Sequence, residues 1–177
     1  MTQATDIQVA EAVLAEIKAA PAGTFTMPFR AERIYLATPD IAKLRGVLLS
    51  VIPAELESAL DTRTSATEEI SINIGIRAKL SNPLPTLPEH VEPTEDELSA
   101  YDAAQAAVSS EMDALRYFTQ QVRLYFEHPD HRRLAAMRSA VLIGTIQNAP
   151  IYVQEHLPKF QQYTSILTLT YKLARTL

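Results

Sequence analysis

Between Glu68 and Leu80 apolar and polar positions alternate without interruption: Ile70, Ile72, Ile74, Ile76, Ala78 and Leu80 fall on one side, Ser71, Asn73, Gly75, Arg77 and Lys79 on the other. Successive side chains of a strand point to opposite faces, so the pattern predicts a strand over 68–80 with one face buried. The C-terminal stretch repeats it, with Leu167, Leu169, Tyr171 and Leu173 opposing Ile166, Thr168, Thr170 and Lys172. A strand that ends the chain is expected at a sheet edge or inserted into a neighbour's sheet, which puts assembly ahead of catalysis as the first question. Thr24 to Leu36 alternates with a one-residue slip before Ile34, as a bulge would produce, and Pro28 there lacks an amide donor and belongs at an edge or bulge. Val47 to Ile52 is a compact apolar strand closed by Pro53, the polar residues 54–67 read as a loop, and Ala140 to Gln147 supplies one more strand.

Two segments carry helical spacing instead. Thr5 to Ala20 has Ala10, Val13, Leu14 and Ile17 on one stripe, Thr5 and Gln8 placed for a capping box, and Pro21 and Gly23 as stops. Thr94 and Glu97 are placed to cap a much longer helix, Glu95 to Phe126, carried by Leu98, Tyr101, Ala104, Val108, Met112, Leu115, Phe118, Val122 and Tyr125. A short helical turn is expected from Thr38 to Leu44, and four prolines between Ser81 and Pro93 make that segment an extended connector. The expected fold is α+β: a single, mainly antiparallel sheet of about five strands, with the N-terminal helix and the long central helix packed on one face, in one domain spanning 1–177.

The long helix is the element that does not fit a compact subunit. At ~1.5 Å per residue it would measure about 48 Å, against a diameter of roughly 40 Å for a domain of this size. It must break, near Ser109-Ser110, or overhang and be covered by a neighbouring subunit. It is also lopsided in charge. Eight acidic residues (Glu89, Glu92, Glu95, Asp96, Glu97, Asp102, Glu111 and Asp113) occupy 89–113 without one Lys or Arg. The helix dipole accounts for those of the first turn and not for the later ones, so Glu95, Asp96, Glu97, Asp102, Glu111 and Asp113 form a candidate channel-facing or ring-interface surface, set against the alternative of a solvated helix face.

With 177 residues, 47% of them hydrophobic, the chain can bury a full core without metals or disulfides. Its net charge of −5 argues against the usual basic mode of phosphate-backbone binding. It contains no cysteine, which removes thiolate nucleophiles and Cys-based zinc sites and fits a reducing cytoplasm. The N-terminal segment lacks the basic start and apolar run of a signal peptide, and no apolar stretch reaches membrane-spanning length, so an unexported, soluble protein is expected.

Candidate chemistry is sparse. His90, His128, His131 and His156 include one close pair, His128 and His131, whose spacing across a proline turn does not supply three convergent metal ligands and reads as a solvated loop. Glu55 with Glu57 and Glu68 with Glu69 read as solvated charge beside strands, not as acid/base pairs. The four glycines, Gly23, Gly46, Gly75 and Gly144, are dispersed and form no phosphate-cradling loop. Arg132, Arg133 and Arg138 follow a helix end, where they answer its dipole or contact phosphate. No catalytic residue, metal or cofactor is expected.

The order helix, three strands, long helix, two strands resembles the tail terminator (tail completion) proteins of long-tailed bacteriophages and their minor tail relatives. Carrying the resemblance are Arg30-Ala-Glu-Arg-Ile-Tyr35, Val47-Leu-Leu-Ser-Val-Ile-Pro53, Glu69-Ile-Ser-Ile-Asn-Ile-Gly-Ile76, and Pro150-Ile-Tyr152 with His156-Leu157 ahead of Tyr163-Thr-Ser-Ile-Leu-Thr-Leu-Thr-Tyr171. Across about residues 7–173 it implies a non-enzymatic virion protein, made in the host bacterial cytoplasm, that forms a homo-oligomeric ring, commonly a hexamer. Such a ring caps the tail tube, contacts the tail-tube protein and the head connector or neck proteins, and passes DNA through an acidic or neutral lumen without specific binding and without a membrane. The long acidic helix and its proline-rich lead exceed what a minimal terminator needs, leaving open a head-completion or neck-adaptor role. Outside this class stand a small bacterial enzyme or ligand-binding domain, and a regulatory protein that dimerises through the long helix.

Overall fold

A computed structural model describes residues 3–35, 44–62, 65–86 and 92–176. The turn expected from Thr38 lies outside these residues apart from Leu44, and so do Glu89 and His90. The elements run α1 (Thr5–Ala19), β1 (Phe29–Arg33), β2 (Val47–Thr62), β3 (Ser65–Lys79), α2 (Glu95–Glu127), a 3-10 turn (Pro129–His131), β4 (Arg133–Leu134), β5 (Met137–Gln147), α3 (His156–Phe160) and β6 (Gln162–Thr176). All six strands join one sheet in the order β1-β2-β3-β6-β5-β4. The fold is α+β, but the sheet is mixed and not purely antiparallel, because β1 runs parallel to β2 at one edge. The segment 34–46 is long enough to carry the chain back to the starting end, as a parallel pair requires.

The alternation in β3 fixes the sheet's two faces. Ile74 pairs with Val51 on one side and Leu167 on the other, Ile76 with Leu49 and Ser165, and Ile72 with Leu169. These residues are buried, and the stripes of both helices close over them: Val9, Ala10, Val13 and Ile17 from α1, and Leu115, Phe118, Val122 and Phe126 from α2, all in one core cluster. The opposite face is polar where β3 meets β6. There Thr168 Oγ1 donates to Asn73 Oδ1 (2.8 Å) and Ser71 shares a hydrogen bond with Thr170 (3.3 Å). Both large helices lie on the apolar side, but the other side is not solvated throughout as the single-sided alternation predicted: Leu48, Ser50, Arg77 and Thr164 there are buried, with Arg77 Nη2 donating to Ser50 Oγ (2.8 Å).

Several expected elements are placed differently. The C-terminal strand β6 is neither an edge nor an exchanged arm, since β3 pairs with it along its length and β5 flanks its other side. Residues 54–62 and 65–67 are not a loop: β2 continues past Pro53 through a bulge at Pro53/Glu55, and with β3 forms a long hairpin arm whose β3 side is paired with β6. At ~3.4 Å per residue β2 alone extends about 50 Å. Its side chains from Ala54 to Leu60 are exposed, so the pattern of burial that names a strand is missing there. β1 is shorter than 24–36. Phe25 leaves the sheet to pack edge-on against Phe29 and Tyr125, and Thr26 donates twice to Gln121 Oε1 of α2 (3.0 and 2.8 Å). The capping box at Thr5 is also absent, for α1 begins after Ala4 without a side-chain cap, and Gln8 Nε2 donates instead to the Gln3 carbonyl (2.7 Å).

Candidate functional site

Helix α2 organises two of the surfaces open to another molecule, its overhang and a cleft along its second half. Its cap forms as the sequence predicts: the Glu97 amide donates to Thr94 Oγ1 (3.3 Å), while the Thr94 amide and hydroxyl donate to Glu97 Oε2 (2.8 and 3.0 Å). Those two donors on Thr94 hold the Glu97 carboxyl below the usual carboxylate range. The helix then runs unbroken through Ser109 and Ser110, the Ser109 hydroxyl donating back to the Gln105 carbonyl (2.8 Å). Burial starts only at Val108. From Glu95 to Ala107 the helix overhangs its own core, with Leu98 41% exposed and Tyr101 and Ala104 only half-buried.

The six acidic candidates divide. Glu95, Asp96 and Asp102 are exposed on the overhang and make no hydrogen bond or ion pair among the described residues. Glu97 is spent on the cap, and Asp113 lies 4.0 Å from Arg116, a loose surface pair. Glu111 does not belong to an outward surface. Its carboxylate accepts from the amides of Ser81 (2.8 Å) and Asn82 (3.2 Å) and from Asn82 Nδ2 (3.1 Å), pinning the start of the proline-rich connector to α2. Burial alone would raise its pKa; the converging donors outweigh that and hold it below the usual range.

Farther along α2 an open cleft of about 490 Å³ lies between the helix and the 148–151 segment. Arg116, Tyr117, Gln120 and Arg123 line the helix side, Asn148 and Ile151 face them, and the hydrogen-bonded hydroxyls of Thr119 and Tyr163 (2.9 Å) form the floor. Burial raises the Tyr163 phenol above its ordinary pKa despite opposing contributions from Thr119, Ser165 and the Arg116 charge. Arg123 Nε is shut off from solvent without a hydrogen-bond acceptor among the described residues, the Glu127 carboxylate stopping 3.7 Å away. Neither arginine stands out in the linear sequence; their seven-residue spacing on a predicted helix is the one signal that could have marked them.

The remaining candidates are structural. His131 is not a solvated loop residue: its ring stacks on Tyr125 with centroids 3.9 Å apart, and Nδ1 bonds the buried Glu16 carboxylate (2.8 Å). Glu16 also accepts from the Ala135 amide (3.2 Å), and the Tyr125 hydroxyl donates to the Glu16 carbonyl (3.3 Å), so this cluster ties α1 to the end of α2 and to the turn before β5. His128 caps the 3-10 turn, and His156 bonds Thr164 Oγ1 (2.9 Å). Glu68 is buried, contrary to its expected exposure, while Glu55 and Glu57 are exposed; Glu68 and the half-buried Glu69 point to opposite faces and form no acid/base pair. Arg132 is taken up by the carbonyls of Leu142 (3.3 Å) and Gly144 (3.2 Å), whereas Arg133 and Arg138 are exposed. Among the described residues no three His, Asp or Glu side chains converge as a metal site would require, and no helix is long and apolar enough to cross a membrane. Compared with protein-family models and with curated proteins, the chain gives no match to either.

Proposed function

We propose that this chain is a structural virion protein of a long-tailed bacteriophage, forming a ring at the head–tail joint that caps the tail tube and joins it to the head connector. The observation that carries the proposal is the overhang of α2. An isolated helical segment of this length is marginal in water, and helices in proteins draw most of their stability from packing an apolar face. Here a capped helix carries Leu98, Tyr101 and Ala104 past its own core, a geometry suited to contact with another subunit. The β2–β3 arm supports the same conclusion, since Leu56 and Leu60 are 45% and 77% exposed on the part of β2 that β1 does not reach.

In such a ring Glu95, Asp96 and Asp102 face the DNA channel or a basic surface of a neighbouring ring, where carboxylates let phosphate pass without capture. The ring is a homo-oligomer, a hexamer by the resemblance, placed between tail-tube protein and head-connector or neck proteins, with no catalytic step of its own. A head-completion or neck-adaptor position is the second reading, favoured by the length of α2, which reaches farther than closing a tube requires. Disrupting the gene in its phage tests both: filled heads and tails should accumulate unjoined, the tails uncapped on the first reading and complete on the second, with joining restored by the chain supplied separately. Normal numbers of joined, infectious particles would overturn the proposal.

A further inference from the structure

The outward stripe of α2 carries an order of charge that neither the fold nor a ring explains. At seven-residue steps it reads Glu95, Asp102, Ser109, Arg116, Arg123: two acids, a neutral residue, two bases. The first four are exposed, and the Arg123 side chain is 37% exposed. Residues seven apart on a helix fall on nearly the same line, about 10.5 Å apart at ~1.5 Å per residue, and such a line is the seam along which two helices pack. Between these positions the stripe holds Ser99, Ala106, Asp113 and Gln120, all exposed and none bulky enough to hold two helices apart.

The series is self-complementary about Ser109. We propose that two copies of this chain pair through antiparallel α2 helices, about a two-fold axis at Ser109. Glu95 of one copy then meets Arg123 of the other, Asp102 meets Arg116, and the two-fold repeats both contacts, giving four ion pairs. A parallel pair would set like charge against like. One copy cannot satisfy itself, because Asp102 and Arg116 lie about 21 Å apart along one straight helix at ~1.5 Å per residue.

The local geometry favours the same occupant. The arginines' present partners are loose, Asp113 at 4.0 Å from Arg116 and Glu127 at 3.7 Å from Arg123, and both side chains keep surface open to a second copy, 51% and 37% exposed. Leu98, 41% exposed between the two acids, arrives opposite Gln120, at the cleft where Tyr117 (55% exposed) and Ile151 (52% exposed) offer apolar surface. The pairing does not depend on the ring and is exclusive of it at Glu95 and Asp102, which cannot face a channel and a second α2 at once: ring contacts join two different patches, whereas this contact joins one patch to itself.

Because the chain has no cysteine, Ser109→Cys places a single thiol at the axis. Under mild oxidation at low salt this variant should become a disulfide-linked dimer, since a two-fold axis there brings the two α-carbons within about 7 Å. Ala107→Cys, exposed but turned away from the stripe, should stay largely unlinked. Sedimentation supplies the second measurement. Reversing the acids (Glu95→Arg with Asp102→Arg) or the bases (Arg116→Glu with Arg123→Glu) should weaken self-association roughly tenfold or more, and mixing the two reversed proteins should restore a dimer, weakened again by salt. Circular dichroism confirms that the reversed variants are folded. Cross-linking at Ser109 no greater than at Ala107, or a mixture that fails to dimerise, would overturn the pairing while leaving the ring proposal to its own test.

Discussion

Ile74 sits between Val51 and Leu167, fully buried at the middle of three apolar strands. A carboxylate there would be unpaired in the core at a cost of several kcal/mol, on the order of a domain's whole stability, so Ile74→Asp should abolish soluble expression, read as loss of soluble yield. Tyr171 is a buried exception of the opposite kind, because its hydroxyl has no hydrogen-bond partner among the described residues. Removing an unsatisfied buried polar group relieves its desolvation penalty, so Tyr171→Phe should leave the thermal midpoint unchanged or raise it. The phenols also set an alkaline limit. Burial, then the charge of the Glu16 carboxylate and hydrogen bonding to it, push Tyr125 up to about 12, and burial raises Tyr163 and Tyr171 as well. A raised phenol keeps its proton in the folded chain at a pH where the unfolded chain has lost it, so its contribution to stability is full below about pH 10 and is lost as pH climbs toward 12. The urea midpoint should therefore fall between about pH 10 and pH 12, and less steeply in Tyr125→Phe.

The strand 68–80 and the capped long helix were legible because apolar and polar residues alternate with the period of the element, although the polar face of the strand is itself half-buried or buried apart from Lys79. The hairpin arm was not, since Ala54 to Leu60 are all exposed and Pro53 marks an end where the strand in fact bulges and continues. Alternation in β6 gave its buried face but not its neighbours, and its central place in the sheet depends on long-range pairing with β3 and β5. The same limit hid the division among the acids. Nothing local distinguishes Glu111, held by the Ser81 and Asn82 amides, from Asp102, which extends into solvent. The overhang yields its own prediction. Thr94→Ala removes a cap worth about 1 kcal/mol, but the segment it starts is not packed on the core. Amide exchange should speed up over 95–107 while the global unfolding midpoint stays within error; a large drop in that midpoint would mean that the overhang is integral to the core.

At the scale of the molecule, one side of the sheet is closed by two helices, while the α2 overhang extends past the core and β2 runs on beyond its pairing with β1 with Ala54 to Leu60 exposed. A monomer gains little from either, and an assembly gains contact area from both. Replacing Glu95, Asp96, Glu97 and Asp102 with Gln or Asn should leave the subunit folded and impair head–tail joining or DNA passage, scored as infectious particles per assembled head. Each exposed charge pair is worth only about 1 kcal/mol or less in water and fades over ~8 Å at physiological salt, so the effect depends on repetition around a ring. Normal infectivity across low and high salt would reduce the acidic face to solvation. The central claim is most directly tested by locating the chain in intact particles, by cryo-electron microscopy of virions in which it carries a small tag. Extra density repeated around the axis at the junction of head and tail is the predicted result; particles that contain no copies of the chain would contradict it.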